Sequence, residues 1–193
     1  LALERIALGE VETRWSGALY GGGFRLEDRE GLIREVRALR TRASPEALFR
    51  SFASLGGERG WLVWNWAWAL RGFLDRLLGG PGLRRGRRHP TELLPGEAVD
   101  FWRVEAVEPP RLLRLRAEMR LPGRAWLEWE AREAEGGSLL VQTAYFEPKG
   151  LTGFLYWWAL YPIHRRIFSD LARAIVREAE AQAEAPPRGG GAG

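Results

Sequence analysis

The sequence predicts an α+β fold, a curved antiparallel sheet wrapped around a long C-terminal helix. Two observations predict the sheet. Between Val99 and Pro148, runs of residues alternate apolar and polar with a period of two, the pattern of strands with one buried and one wet face. Short turn words, Pro109-Pro110, Pro122-Gly123 and Gly136-Gly137, divide the runs, so consecutive strands pair as an antiparallel meander. A third observation predicts the helix. At about 100° per residue, Ile163, Ile167, Phe168, Leu171, Ala174 and Ile175 gather on one side, with Arg166, Arg173 and Arg177 opposite. Such a stripe is the cover that the apolar face of a sheet requires.

Each strand of the meander follows from its alternation. The first run, Val99 to Val107, turns Trp102, Val104 and Ala106 inward. The second, Leu112 to Leu121, turns Leu113, Leu115, Ala117 and Met119 inward and Arg114, Arg116 and Glu118 outward. The third turns Ala125, Leu127, Trp129 and Ala131 inward and Trp126, Glu128, Glu130 and Arg132 outward. In the fourth, Ser138 to Phe146, Leu140, Gln142, Ala144 and Phe146 face inward, which places an amide inside.

The rest of the chain supplies the flanks. Leu1 to Arg14 reads as a short helix or an irregular lead-in, and Ser16 to Arg29 as a Gly-rich loop. Gly31 to Arg42 reads as a strand with Leu32, Val36 and Ala38 inward. Ser44-Pro45-Glu46 starts a helix, serine as N-cap and proline in the first turn. Leu48, Phe49, Phe52 and Leu55 form its apolar face, and Gly56-Gly57 ends it. Trp61 to Trp64 reads as a short strand. Asn65 then caps a second helix through Leu78, with Leu70, Phe73, Leu74 and Leu77 buried and Arg71 and Asp75 spaced to pair. Gly79-Gly80-Pro81-Gly82 stops that helix, and Leu83 to Pro90 is a basic loop. After Lys149-Gly150 the final helix opens with an apolar row, Leu151, Phe154, Leu155 and Trp158, and Pro162 kinks or restarts it. The expected division is a lead-in or linker over 1–30, a ligand-binding domain over 31–185 and a disordered tail over 186–193.

Composition excludes several function classes. With 193 residues, 46% hydrophobic, the chain suffices for one domain with a large core. It has no cysteine, hence no disulfide or thiolate metal site, which fits a cytoplasmic location. Net charge is only +4, and the pI of 10.1 reflects arginine chemistry, so neither argues for nucleic acid as a partner. No run reaches the length of a membrane span and no signal peptide opens the chain. It begins at Leu1 without methionine, as expected of the C-terminal part of a longer polypeptide. His89 and His164 are far apart and lack a ligand spacing, so no metal site is expected, and no Gly-x-Ser-x-Gly or P-loop word occurs.

A set of words sharpens this reading. Leu70-Arg71-Gly72-Phe73-Leu74-Asp75, Gly79-Gly80-Pro81-Gly82, Gly86-Arg87-Arg88, Asp100-Phe101-Trp102-Arg103-Val104-Glu105 and Phe146-Glu147-Pro148-Lys149-Gly150 follow in that order. Tyr156-Trp157-Trp158, Pro162, His164 and Ile167-Phe168 come after. Over about Gly31 to Glu180 the chain resembles an uncharacterised bacterial family of START-like (SRPBCC, helix-grip) domains, akin to polyketide cyclases and pollen allergens. The resemblance implies a helix-grip fold. It also implies a neighbour, an NAD(P)-binding domain of the nucleoside-diphosphate-sugar-epimerase type preceding this one in the parent chain. It implies no catalytic residue. The chain has no Gly-x-Gly-x-x-Gly unit, so it holds no cofactor itself, and NAD(P) enters only with such an upstream domain.

A helix-grip fold leaves a mostly apolar cavity between sheet and helix, and pockets of that kind carry a few polar groups. The residues expected to contact a ligand are Trp102, Leu115, Met119, Leu127, Trp129, Gln142, Tyr161 and His164. Aromatic residues at strand spacing also serve simply as core. Arg87 and Arg88 are candidates to clamp an anion, against the plainer reading of a solvated loop. His164 falls inside the arc of Ile163, Ile167 and Leu171, so it points toward the sheet. There it needs a partner: Gln142, a tyrosine such as Tyr145 or Tyr161, water or a ligand. The favoured function is binding of a hydrophobic or mixed-character small molecule or lipid. A cyclase- or hydrolase-like enzyme using polar groups of the cavity is the first alternative. Membrane contact through Phe154, Tyr156, Trp157 and Trp158 ranks behind both.

Overall fold

The computed structural model describes residues 23–29, 31–80, 82, 89 and 92–184. Its strands are β1 (Gly23–Arg29), β2 (Leu32–Thr41), β3 (Ala98–Val99), β4 (Trp102–Glu108), β5 (Leu112–Ala117), β6 (Gly123–Ala134) and β7 (Gly137–Pro148). They form one 7-stranded antiparallel sheet in the order β1-β2-β7-β6-β5-β4-β3. Its helices are α1 (Pro45–Ala53), α2 (Asn65–Leu77) and α3 (Gly150–Glu184). The sheet curves around α3, and α1 packs against both. The architecture is α+β, of the helix-grip kind.

Register sets which side chains face α3. Leu115 pairs with Leu127, Leu127 with Ala144, and Trp129 with Gln142, so the inward sets expected for β5, β6 and β7 lie on one face. Arg114 meets Glu128 on the other face, its Nε 2.6 Å from Oε2. Gly137 opens β7 at a φ of 153°, and a Cβ there would lie 2.1 Å from the Thr41 carbonyl oxygen, so only glycine fits.

Several expectations need correction. Gly23–Arg29, read as loop, is a strand, because its residues pair with Leu32 to Ala38 along β2's free edge. In β2 the parity is reversed. Ile33 packs with Phe146 and Trp157, whereas Leu32 joins Trp126 and Tyr145, and Val36 and Ala38 join Leu139 and Val141 on the outer face. Both faces of β2 are buried, so its apolar residues alone could not set the parity. The run from Val99 divides at a turn over Asp100 and Phe101, with Asp100 in the left-handed region at φ 55°. A bulge between Val104 and Ala106 then sends Ala106 outward opposite Arg114 and Val107 inward opposite Leu113. Strand β5 ends at Ala117, short of Leu121.

Among the helices, Ser44 caps α1 as expected, its hydroxyl accepting from the Ala47 amide. The helix stops at Ala53 with Ser54 as C-cap, ahead of Gly56-Gly57. Trp61 to Trp64 is not a strand, since Leu62 and Trp64 adopt φ of 62° and 55°. Trp64, not Asn65, takes the N-cap position, while the Asn65 Oδ1 accepts from the Trp61 amide at 2.9 Å. Leu70, Phe73, Leu74 and Leu77 are exposed. The sheet is already covered by α1 and α3, so α2 buries only Trp68, Gly72 and Asp75. Asp75 accepts from the Gly82 and Arg120 amides at 3.0 and 2.8 Å in place of a pairing with Arg71. Helix α3 runs through Pro162 without restarting, and Ile163 is exposed. Leu151, Leu155 and Trp158 are exposed as well, whereas Trp157 is buried, its ring stacked 5.3 Å from Phe146.

The candidate ligand site between sheet and helix

The walls of the interior are aromatic. Trp61 sits at their centre, its ring 5.0 Å from Trp68, 6.1 Å from Trp102 and 6.4 Å from both Phe101 and Trp129. The backbone reversals at Leu62, Trp64 and Asp100 bring these side chains together, and the Trp61 Nε1 donates to Asp100 Oδ2 at 2.8 Å. The indole N–H groups of Trp68 and Trp102 are buried and have no acceptor. Leu115 and Leu127 are buried in the same wall, and Met119 is half-buried against it beyond the end of β5.

Gln142 is inside, as expected, and serves as a tie. Its Oε1 accepts from Trp129 Nε1 and its Nε2 donates to the Phe168 carbonyl, both at 2.9 Å, which links β6, β7 and α3. It is therefore not the partner of His164. Nor is Tyr145, which lies on the outer face and donates to Glu128 at 3.2 Å. The half-buried His164 ring stacks on Phe168 at 5.6 Å and lies 6.0 Å from Trp157, and its Nδ1 has no partner. Burial, then the nearby Arg71, push its pKa down to about 4, so the ring is neutral at neutral pH. Tyr161 is half-buried 6.1 Å from Trp157, and burial, then the Glu35 carboxylate, raise its pKa.

Sequence reasoning missed one polar cluster. Glu35 and Arg37 are buried on the inner face of β2 and form an ion pair. Arg37 donates from Nε to Ser169 Oγ at 3.0 Å and from Nη2 to the Arg165 carbonyl at 3.1 Å, and its guanidinium lies over the Phe168 ring. Burial raises the Glu35 carboxyl above its ordinary range despite the pull of Arg37. The parity expected for β2, with Leu32, Val36 and Ala38 inward, turned the alternate residues Glu35 and Arg37 outward and so hid the pair. A separate groove of about 530 Å³, lined by Arg40, Arg42, Glu135 and Glu180, lies at the far end of α3. Arg87 and Arg88 lie outside the described residues. Among the described residues there is no cluster of metal-ligating side chains and no helix long and apolar enough to cross a membrane.

The sheet and α3 thus enclose an interior lined by apolar and aromatic side chains, suited to a small hydrophobic ligand. Its polar complement comprises indole donors and a neutral imidazole. Residues 29–171 match the family described as protein of unknown function DUF2867. The chain belongs to the DUF2867 family. No curated protein matches it. Among solved structures, CalU16 from Micromonospora echinospora is 13% identical, with 84% of this chain and 94% of that chain covered and a TM-score of 0.40. A second, Ara h 8.0201, is 12% identical, with 78% of this chain and 99% of that chain covered and a TM-score of 0.48. The di-domain ARO/CYC StfQ of the steffimycin biosynthetic pathway is 12% identical, with a TM-score of 0.49; 80% of this DUF2867 chain is covered, but only 52% of StfQ.

Proposed function

We propose that the domain binds a small, largely apolar molecule bearing hydrogen-bond acceptors such as carbonyl oxygens, held between the sheet and α3. The observation that carries this is the pair of acceptor-less indole N–H groups, Trp68 and Trp102, in a buried aromatic wall. A buried donor without a partner costs about 1–3 kcal/mol, which a ligand oxygen would offset. Trp102, Leu115, Met119, Leu127, Trp129, Tyr161 and His164 are the proposed contacts, with Gln142 holding the wall in shape.

Native mass spectrometry of the purified chain, followed by titration of apolar probes under tryptophan fluorescence, tests this. A co-purifying small molecule or saturable probe binding is expected. Trp102→Phe keeps an aromatic ring, though a smaller one, and removes the donor, so affinity for a carbonyl-bearing probe should fall more than that for a hydrocarbon probe. Absence of saturable binding by any probe would count against the reading. The finer reading, a ligand module serving an NAD(P)-dependent epimerase-like domain, rests on the sequence resemblance alone. For a cyclase- or hydrolase-like activity His164 would be a weak base, because burial and Arg71 hold its pKa near 4, well below neutral pH.

A further inference from the structure

The solvent face of α2 is apolar from end to end. Trp66, Leu70, Phe73 and Leu77 recur at helical spacing as one stripe, flanked by Leu74 and Leu78, and all are between 45% and 68% exposed. The stripe cannot roll inward. Trp68 is fixed in the aromatic wall, and Asp75 is bonded to the Gly82 and Arg120 amides.

The charge that α2 itself exposes is basic. Asp75 is the only carboxylate of α2, and it is fully buried. Arg76 and Arg120 are exposed beside the helix. A second copy of this chain is a poor occupant. A helix of 13 residues is about 20 Å long and about 10 Å wide, so one face offers far less than the ~800 Å² per partner of a stable protein interface. A bilayer needs no such area, because it takes in apolar side chains one by one while its anionic headgroups attract arginine.

We propose that α2 lies on the surface of an anionic phospholipid bilayer, with Trp66, Leu70, Phe73 and Leu77 among the acyl chains and Arg76 and Arg120 against the headgroups. Trp68 on the opposite face of α2 belongs to the aromatic wall, so docking sets the ligand site directly behind the membrane. This goes beyond ligand binding and does not depend on it.

Co-sedimentation of the full chain with vesicles of phosphatidylglycerol in phosphatidylcholine, against phosphatidylcholine alone, tests the proposal. Binding to the anionic vesicles is expected to exceed that to the neutral ones by at least about tenfold and to weaken with salt. Leu70→Ser with Phe73→Ser should reduce it at least about tenfold, with an unchanged circular dichroism spectrum, since both side chains already face water. Arg76→Glu, which leaves the stripe intact, should weaken binding to the anionic vesicles only. Wild-type chain that ignores both vesicles, or a double variant that binds like wild type, would overturn the proposal. So would a wild-type dimer, seen by analytical ultracentrifugation, that the double variant turns to monomer. Saturable binding of an apolar probe should survive in the double variant, so loss of docking and loss of the ligand site are read separately.

Discussion

His164 carries its own pH signature. Burial and Arg71 bring its pKa from 6.5 to about 4, so the unfolded chain takes up the proton first as the solution is acidified. Its contribution to stability is therefore complete above about 6.5 and is lost as pH falls toward 4, a loss on the order of 3 kcal/mol. Urea melts of wild type and His164→Gln across that window should show the variant with a shallower decline, and a His164 NMR titration midpoint near 6.5 would refute the burial argument. Arg37 makes a second test. Arg37→Met leaves the buried Glu35 carboxylate without its ion pair, and the expected destabilisation at neutral pH is about 3–5 kcal/mol. Acidification should recover part of it, because a carboxyl already raised by burial takes a proton more readily once the cation is gone. Adding Glu35→Gln to Arg37→Met should recover part of it at neutral pH. The inward pointing of His164 was legible from its arc on the helix. The Glu35–Arg37 pair was not, because a strand buried on both faces has no polar side from which to count.

At the scale of the element, a local pattern names the partner-seeking face but not whether a partner is left. The apolar stripe of α1 found the sheet, and Leu48 and Phe52 are fully buried. That of α2 found solvent, although its periodicity is as clear. What fixes α2 is Asp75, and Asp75→Ala strips two backbone amides of their acceptor. The expected cost is about 1–3 kcal/mol, with amide exchange accelerated in Asn65–Leu77 more than in α1. Uniform exchange in the two helices would mean that Trp68 alone holds α2. The same lesson applies to Pro162. Proline removes one helical hydrogen bond, yet α3 continues through it, because buried residues on both sides, Trp157 before and Phe168 and Leu171 after, bind the helix to one sheet.

For the whole molecule, ligand binding and stability are linked. A molecule that binds only the folded chain raises its stability by about 2.7 kcal/mol at one hundred times its dissociation constant. Melts of the chain with and without a bound apolar probe should therefore separate in proportion to the logarithm of probe concentration. A probe that quenches tryptophan without moving the melt binds the unfolded chain equally well, and the enclosed site would be in doubt. The sequence by itself determined the antiparallel meander, the inward faces of β5 and β6, the cap at Ser44 and the long covering helix. Those are set by alternation, turn residues and helical periodicity, all of them short-range. Only the tertiary structure decided the parity of β2, the strand at Gly23–Arg29, the bulge at Val104 and Ala106, the bare face of α2 and the partners of Gln142. Each depends on what lies across the sheet or beyond it, and the area left to cover is a property of the assembled layers rather than of any one segment.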